Sequence, residues 1–346
     1  MLDPKLKVAV YMEGHIDSDY GKMGMGVVRY LKNPIVGVVD KAFAGKLIND
    51  FIEIPRQVPI FESLEKIIEQ GAEVLILGIA PSGGRIPDSW DHVIEKALKA
   101  GMSIVNGLHD LLKPKWEHKI ENHKNQWIWD VRVPQFTPVI ATGKASSISN
   151  KRVLLIGTDM AVGKMTSGLE LYEDLQKKGA NVSFVATGQI GITITGEGIP
   201  LDAFKLDYAC GAVEQIVLKN ADKEIVIIEG QGSLLHPGSS ATLPLMRGSC
   251  PTHLILCIRA DKNSLRSPEQ IEIPDIKEFI NLNESLTTVV GTYPKAKVIA
   301  ICANTSMLSD IDARTFLKNL FKKTGIIVTD PVRFGVDKIS ETLLET

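Results

Sequence analysis

Cysteine is scarce in this chain, and several other familiar signals are missing with it. Four cysteines occur in 346 residues and no two of them form a CxxC pair, which argues against a zinc site and against a disulfide framework. Lysine and arginine number 39 against 41 aspartates and glutamates, so no basic excess indicates nucleic acid or a membrane surface as a partner. We therefore predict neither a metal site nor binding to nucleic acid or membrane.

Long hydrophobic runs are also absent. The longest apolar stretches, such as 74–77 and 254–258, have the length of a core strand and cannot cross a bilayer. The N-terminus has neither the basic start nor the long apolar core of a signal peptide. Hydrophobic residues make up 44% and charged residues 23% of the chain, both near the globular average. We expect a cytoplasmic, homo-oligomeric enzyme that acts on small molecules.

Short apolar runs alternate with amphipathic segments along the chain, which is the pattern of layered α/β proteins. At roughly 150 residues per domain, a chain of this length favours two domains. The pattern fades into Pro, Thr, Ser and Gly at 134–150, where we place the boundary. Strands are predicted at 8–12, 35–39, 74–79, 104–106, 128–133, 153–156, 182–186, 225–228, 254–258 and 298–302. Helices are predicted at 62–70, 91–99, 164–178, 201–219, 274–287 and 311–323.

The strongest chemical signal lies at the start of the second series. A predicted strand leads into G-T-D-M-A-V-G-K-M-T at 157–166, and an amphipathic helix follows. Glycines let backbone N–H groups turn inward, a helix N-terminus adds positive potential, and the lysine supplies a point charge. We predict a phosphate cradle formed by Gly157, Thr158, Asp159, Val162, Gly163, Lys164, Met165 and Thr166.

This loop departs from the standard phosphate-binding pattern in two ways. Five residues rather than four separate Gly157 from Gly163, and Met165 stands where a Mg²⁺-binding serine or threonine normally follows the lysine. Phosphate binding follows from the pattern as it is. Mg²⁺-dependent nucleotide hydrolysis would need another ligand, which Thr166 could supply only if the helix start were shifted.

Two residues beyond the loop are candidates for proton transfer. Glu229 ends an apolar strand at the place where P-loop proteins put an acid, and it could bind Mg²⁺, accept a substrate proton, or only accept backbone N–H groups. His236 follows within one loop and could be a base, an oxyanion donor or a hydrogen-bonded structural residue. Together with Lys164, these two form the predicted catalytic set.

Further ligand contacts are predicted on turns that follow strands. Gly188 and Gln189 come after the strand at 182–186, where ligands bind in open α/β sheets. Gln231 and Ser233 lie on the glycine-rich turn after Glu229 and carry amide and hydroxyl donors. We predict that these four residues contact the cofactor.

Three weaker patterns leave alternatives open. Asp207, Gly211 and Glu214 share one side of the helix predicted at 201–219, as a ligand face or as a solvated one. Residues 82–85 (S-G-G-R) could form an anion nest or a plain turn. Glycines after the first strand imitate a dinucleotide site, but Arg29 occupies the place of the third glycine.

The phosphate loop resembles that of dethiobiotin synthetase, an ATP-dependent, carboxylate-activating enzyme. Residues 157–159 (GTD) and 162–164 (VGK) match its GTDxxVGK loop, and 227–232 (I-I-E-G-Q-G) are similar to its strand ending in EGxG. The resemblance implies that the acid of this second segment helps to bind metal.

A closer resemblance covers essentially the whole chain. On the strings below, the chain is identified as a member of the two-domain D-glutamate N-acetyltransferase (DgcN-like) family. The strings are G-I-A-P-S-G-G-R-I-P at 78–87, G-L-H at 107–109, D-V-R-V-P at 130–134, the phosphate loop, A-T-G-Q at 186–189, G-A-V-E at 211–214 and E-G-Q-G-S-L-L-H-P at 229–237.

The family resemblance implies a Rossmann-like domain, here 1–145, and a P-loop NTPase-like, dethiobiotin-synthetase-like parallel-sheet domain, here 146–346. It also implies acetyl transfer from acetyl-CoA to D-glutamate, with the loop holding CoA phosphates, for which Met165 in place of a Mg²⁺ ligand is no obstacle. One alternative is an ATP/Mg²⁺-dependent ligase or kinase with Thr166, Asp159 and Glu229 as metal ligands. Another is a nucleotide-binding protein without turnover.

Overall fold

The computed structural model describes residues 2–54, 56–81, 83–122, 124–289 and 291–345, with Asp19 described by its backbone alone. Ser82, the first residue of the predicted anion nest, lies outside the described residues. The chain forms two compact units. One comprises Met1–Pro134 and Gln189–Ala203, and the other comprises Gln135–Gly188 and Phe204–Thr346.

The first unit is built on a parallel sheet, whose described strands follow the order β3-β2-β1-β4-β5-β6. The strands are β1 (Val8–Tyr11), β2 (Ile35–Val39), β3 (Ile60–Phe61), β4 (Val74–Leu77), β5 (Ser103–Asn106) and β6 (Ile128–Asp130). Helices α1 (Lys22–Tyr30), α2 (Leu64–Glu69), α3 (Asp91–Lys99) and α4 (Lys113–Trp116) join them. This is the strand order of the doubly wound Rossmann fold.

The second unit has its own parallel sheet, and its described strands follow the order β12-β11-β10-β7-β9-β8. They are β7 (Lys151–Gly157), β8 (Val182–Val185), β9 (Ile225–Ile228), β10 (His253–Arg259), β11 (Lys297–Asn304) and β12 (Ile327–Thr329). Helix α5 (Lys164–Lys177) is the first helix of this unit, whereas α6 (Gln189–Thr195) belongs to the first unit. The other helices of the second unit are α7 (Leu206–Lys219), α8 (Thr242–Ser249), α9 (Ile276–Thr288), α10 (Asp310–Thr324), α11 (Pro331–Phe334) and α12 (Asp337–Glu345).

The central strands explain why both sheets are parallel and covered. In β4 (V-L-I-L) and β9 (I-V-I-I) every residue is buried. Continuous β-branched and aliphatic runs of this kind are typical of strands with helices on both faces. Two parallel α/β units of Rossmann-like and P-loop type confirm the predicted fold class. Among the helices of the described residues, none combines the length and apolar character needed to cross a bilayer.

Some elements differ from the predicted ones. The structure contains elements that the pattern does not predict, namely the helices α1, α4, α6, α8, α11 and α12 and the edge strands β3 and β12. The helix predicted at 201–219 begins instead at Leu206, after a separate 3-10 turn at Leu201–Ala203. The interruption coincides with the place where the chain leaves the first unit at Ala203 and enters the second at Phe204.

Of the glycines that imitate a dinucleotide loop, Gly21 is the N-cap of α1, and Gly24 and Gly26 lie inside that helix. A Cβ atom at Gly24 would collide with the side chain of Met12, so this glycine permits close packing of the helix on the sheet. Asp40, after β2, is fully buried, and its two carboxylate oxygens accept backbone N–H groups of Gly14 and Ala42. Both features have structural roles in the first unit.

Candidate phosphate-binding and catalytic site

The phosphate loop lies at the carboxyl end of β7, a central strand of the second unit with β10 on one side and β9 on the other. The loop runs from the end of β7 to Gly163, which has a φ of 97°. A left-handed backbone of this kind favours glycine, and it lets α5 begin directly at Lys164. The loop N–H groups and the N-terminus of α5 therefore lie at the sheet edge where ligands of α/β proteins bind.

Lys164 is buried within its own loop. The residue is 4% exposed, and its ammonium group donates hydrogen bonds to the carbonyl oxygens of Asp159 (2.7 Å) and Met160 (2.9 Å). A Cβ at Gly157 would lie 3.1 Å from Nζ, and one at Gly230 would lie 2.9 Å from Cδ. The two glycines thus leave the space that the lysine side chain occupies. Burial lowers the pKa of Lys164 to about 8, against the opposing effects of Cys257, Asp159 and Glu229.

Asp159 braces the loop through both carboxylate oxygens. Oδ1 accepts the N–H of Met160 at 2.6 Å, and Oδ2 accepts the N–H of Arg266 at 2.8 Å. Thr158 donates its own N–H to the carbonyl oxygen of Cys257 at 3.1 Å. The contacts from Cys257 and Arg266 use main-chain atoms, so a pattern of residue types could not have revealed them.

The middle of the loop offers unused donors. Within the described part of the chain, the backbone N–H groups of Ala161, Val162 and Gly163 have no hydrogen-bond partner. The side chain of Val162 is buried and would touch a Cβ at Gly157, at 2.7 Å, so it packs beneath the loop. Unpaired N–H groups around a buried lysine are the donor set that a phosphate requires. The loop therefore fits a phosphorylated ligand.

The first turn of α5 carries two of the predicted ligand contacts, Met165 and Thr166. Met165 and Thr166 are partly buried, and neither side chain has a hydrogen bond within the described residues. The hydroxyl of Ser167, one position further on, donates to the carbonyl oxygen of Gly163 at 2.9 Å. That hydroxyl stabilises the junction between loop and helix.

Glu229 follows β9 and is 5% exposed. Its Oε2 accepts the backbone N–H groups of Thr187 (2.8 Å) and Gly188 (3.1 Å). Its Oε1 has no hydrogen-bond partner among the described residues. Burial raises the pKa of Glu229 to about 7, although both N–H groups and the charge of Lys164 lower it. The carboxylate is thus held by one oxygen and has the other available near neutral pH.

The turns around Glu229 bring three further predicted residues together. Gly188 lies against the amide of Gln231, which a Cβ at position 188 would strike. Ser233 is buried, its hydroxyl accepts the N–H of Leu235 at 3.1 Å, and its own N–H donates to the hydroxyl of Ser239 at 3.1 Å. Gln231 therefore remains a candidate for ligand contact, while Ser233 shapes its turn. Gln189 begins α6, which belongs to the first unit.

Both ring nitrogens of His236 are engaged. Nδ1 accepts the N–H of Gly238 at 3.0 Å, which places the ring proton on Nε2, and Nε2 donates to the carbonyl oxygen of Ser267 at 2.6 Å. A ring in this arrangement has no lone pair for a substrate proton. The geometry favours Glu229 over His236 as a base. The ring of His236 instead joins the loops that carry Gly238 and Ser267.

The predicted ligand face on α7 packs against the chain instead. A Cβ at Gly211 would overlap the carbonyl oxygen of Val139. Glu214 is buried, and its Oε2 accepts the N–H (2.7 Å) and the hydroxyl (3.1 Å) of Thr142. Asp207 is exposed. Gly211 and Glu214 thus hold the segment that enters the second unit.

A phosphate loop at the carboxyl edge of a parallel sheet, with an acid after the adjacent strand, defines the second unit as a P-loop domain, and a Rossmann-like unit precedes it. The chain belongs to the DUF1611 family. The Rossmann-like model of that family (DUF1611_N) matches residues 41–134 and the P-loop model (DUF1611_C) matches 139–340, and both are described as domains of unknown function.

Two relatives from different genera carry the same name. A protein called D-glutamate N-acetyltransferase from Tritonibacter scottomollicae is 34% identical over 283 residues, which cover 81% of this chain and 84% of the relative. A protein of the same name from a Pseudoalteromonas species is 36% identical over 275 residues, 79% of this chain and 82% of that one. The crystal structure of a DUF1611 family protein from Anabaena variabilis matches with a TM-score of 0.94 and 40% identity, covering 99% of this chain and 100% of that one. The family resemblance predicted from the sequence strings is confirmed.

Proposed function

We propose that this protein is an N-acetyltransferase that moves an acetyl group from acetyl-CoA to the amine of D-glutamate. The names of the two relatives support this reaction. The observation that carries the proposal is one site in which a buried phosphate-loop lysine and a carboxylate with a pKa of about 7 act on each other. The first fits a phosphorylated acyl donor and the second fits deprotonation of an amine.

The loop residues hold the phosphates of the donor. Acetyl-CoA, when bound, supplies an acetyl group activated as a thioester. Lys164 can exchange its two loop carbonyl acceptors for phosphate oxygens, and the N–H groups of Ala161, Val162 and Gly163 can donate to the same ligand. Gly157 and Gly230 keep the space in which the lysine moves.

Glu229 removes a proton from the amine. An ammonium group cannot attack a carbonyl, and a base with a pKa near the working pH is the most effective at deprotonating it. Because Oε2 is held by Thr187 and Gly188, the proton goes to Oε1. The reaction forms one C–N bond and breaks one C–S bond. Of the two protons that the ammonium group loses, one ends on sulfur and the other in solvent.

The contacts of the acids favour this reaction over an ATP/Mg²⁺-dependent ligase. That alternative assigns Asp159, Glu229 and Thr166 as metal ligands. Both oxygens of Asp159 already accept backbone N–H groups, and so does one oxygen of Glu229. Such carboxylates are positioned by the backbone, whereas a metal site presents its oxygens to the ion.

The test follows thiol release from acetyl-CoA in the presence of D-glutamate. Glu229→Gln keeps the size and the backbone hydrogen bonds but cannot take a proton, so kcat is expected to fall by about 100-fold or more. Glu214→Gln is the matched control, because Glu214 is a buried glutamate of the same unit that contacts Thr142. It is expected to change stability and leave kcat within about threefold.

Three outcomes would count against the proposal. They are the absence of amine-dependent thiol release by the native protein, formation of ADP from ATP with amino acids, and full kcat in Glu229→Gln.

A further inference from the structure

Three of the family strings lie at the carboxyl ends of neighbouring strands in the first unit. Arg85 follows β4, His109 follows β5 and Arg132 follows β6. In a parallel sheet the carboxyl ends of neighbouring strands lie along the same edge, which is where ligands bind in doubly wound folds. The phosphate loop and Glu229 belong to the other unit, so the proposed reaction assigns no role to these three residues.

The side chain of Arg132 is largely buried, at 11% exposure. Its Nε donates to the carbonyl oxygen of Gly107 at 2.8 Å, which fixes the plane of the guanidinium. Nη1 donates to Oδ2 of Asp202, which is itself 45% exposed. Nη2 has no hydrogen-bond partner among the described residues. The guanidinium therefore holds one carboxylate oxygen and keeps a second donor for another.

His109 is fixed beside the same carboxylate. Its Nε2 lies 3.9 Å from Oδ2 of Asp202, and its backbone N–H donates to the carbonyl oxygen of Gly84 at 2.7 Å. Gly84 has a φ of 61°, and a Cβ there would collide with the imidazole ring. This glycine therefore serves the placement of the histidine.

A buried polar network holds the loops that carry the cluster. Asn106, at the end of β5, donates to Oδ1 of Asp130 at 2.8 Å and to the carbonyl oxygen of Asp110 at 2.7 Å. Asp130 also accepts the N–H groups of Leu112 (2.9 Å) and Lys113 (2.9 Å). Such a network preorganises a site before any ligand arrives.

Asp202 has the properties of an internal substitute for a ligand. It lies in the 3-10 turn at Leu201–Ala203, at the end of the segment 189–203 that joins the first unit from elsewhere in the chain. A half-exposed aspartate on a largely buried arginine can be displaced at small cost, because its carboxylate regains water. A ligand carboxylate could bind both Nη1 and Nη2, which is stronger than the single contact of Asp202.

We propose that Arg132, with His109, forms a binding site for a carboxylate of a small organic acid, and that Asp202 occupies this site when the acid is absent. The inference goes beyond the proposed function, which uses residues of the other unit alone. A guanidinium fork binds a carboxylate and discriminates against a neutral amide of the same size. Arg85, paired with Asp110 at 3.2 Å and mostly exposed, is at the rim of the site.

The first experiment measures binding without catalysis. Glutarate, which has two carboxylates and no amine, is titrated into the full chain by calorimetry. Arg132→Met is expected to weaken glutarate binding by at least about tenfold, because the bound carboxylate loses a charge-assisted fork. Arg56→Met is the matched control, since Arg56 is a partly buried arginine of the same unit that donates to the carbonyl oxygens of Leu31 and Asn33. The control is expected to bind glutarate as the native chain does.

A second variant tests the role of Asp202. Asp202→Asn removes the competing carboxylate and keeps the size of the side chain, so glutarate is expected to bind several-fold more tightly. Weaker binding in this variant would overturn the assignment of Asp202 as a substitute for the ligand.

A neutral ligand of the same length tests whether the site needs a carboxylate. Glutaramide, in which amides replace both carboxylates of glutarate, is expected to bind the native chain at least about tenfold more weakly than glutarate does. Equal affinities for the two ligands, or unchanged glutarate binding in Arg132→Met, would overturn the site. Neither titration depends on acetyl transfer, so a failure of the proposed function and a failure of this site are distinguishable.

Discussion

Burial shifts the pKa values of Glu229 and Lys164, the two buried charged residues of the candidate site, in opposite directions. It raises the pKa of the carboxyl of Glu229 to about 7 and lowers the pKa of the ammonium of Lys164 to about 8. Each group opposes the shift of the other, because their opposite charges favour the ionised forms. Both groups are therefore charged together only in a narrow range of pH, between about 7 and about 8.

The pH dependence of catalysis follows from this pair. Glu229 accepts a proton only when it is ionised, so kcat/KM should rise as pH increases through about 7. Lys164 attracts phosphate only when it is protonated, so kcat/KM should fall as pH increases through about 8. The two apparent values belong to the coupled pair. Measuring kcat/KM from about pH 5 to about pH 10 checks the bell shape. A profile that stays level through neutral pH would contradict the role of Glu229.

Lys164 also predicts opposite effects on binding and on stability. The buried ammonium costs desolvation, so Lys164→Met should leave the free energy of unfolding at neutral pH within about 1 kcal/mol of native, or raise it. The same change should weaken CoA binding by at least about tenfold, because a charge-assisted contact is lost. Chemical denaturation and calorimetry measure the two quantities. Lys177→Met, at an exposed position in the last turn of α5, is the control and should change neither.

The stability of the folded chain also depends on pH through these two residues. The folded pKa of Glu229 is raised from 4.5, so its contribution to stability is fully present below about 4.5 and is lost as pH rises through about 7. The folded pKa of Lys164 is lowered from 10.5, so between about 8 and 10.5 the unfolded chain binds more protons and stability rises with pH.

At the scale of elements, periodicity predicts the central strands well and the rest less well. The strands at 35–39 and 225–228 and the helix at 91–99 have the predicted bounds. Buried strands rich in Val and Ile have an unambiguous pattern. The edge strands Ile60–Phe61 and Ile327–Thr329 are too short for any periodicity to show. α1 contains glycines that are typical of a turn, and the close contact with Met12 explains Gly24.

The candidate site was partly predictable for a related reason. The glycines and the lysine of the loop follow a known local pattern, so Gly157, Gly163 and Lys164 could be found in the sequence. The pairing of Gly230 with Lys164, and the N–H groups that hold Glu229, arise from strands distant in sequence. The same holds for His236, whose ring contacts Ser267. Side-chain type alone does not reveal such main-chain contacts.

The contact of α7 with the segment at 139–142 leads to a prediction about stability. A Cβ at Gly211 overlaps the backbone of Val139, which cannot move aside as a flexible side chain could. Gly211→Ala is therefore expected to lower the free energy of unfolding by about 1–3 kcal/mol, despite the higher helix propensity of alanine. Urea denaturation measures the change.

The control for this change lies on the same helix. Asp207→Ala, at an exposed position in the first turn of α7, should alter stability by about 0.5 kcal/mol or less. Equal stabilities of Gly211→Ala and the native chain would show that the helix and the segment can separate without cost.

At the scale of the whole molecule, the charge is nearly balanced, with 39 basic and 41 acidic residues. The proposed ligands are nevertheless strongly anionic. Local groups bind them in the proposed sites. These are backbone N–H donors and one buried lysine in the P-loop unit, and one largely buried arginine in the Rossmann-like unit. Fields of this kind act at short range and do not require a basic surface.

These groups belong to different units of the chain, and this assignment leads to the last prediction. Lys164 belongs to the second unit, while Arg132 and the segment that carries Asp202 belong to the first. Lys164→Met should weaken CoA binding by at least about tenfold and change glutarate binding by less than about threefold, and Arg132→Met should do the reverse, because residues of one unit form each proposed site. Two titrations on each variant, each with the other ligand absent, measure all four affinities. Parallel losses of both ligands in either variant would indicate damage to the fold or a single shared site. Selective losses would assign CoA to the P-loop unit and glutarate to the Rossmann-like unit.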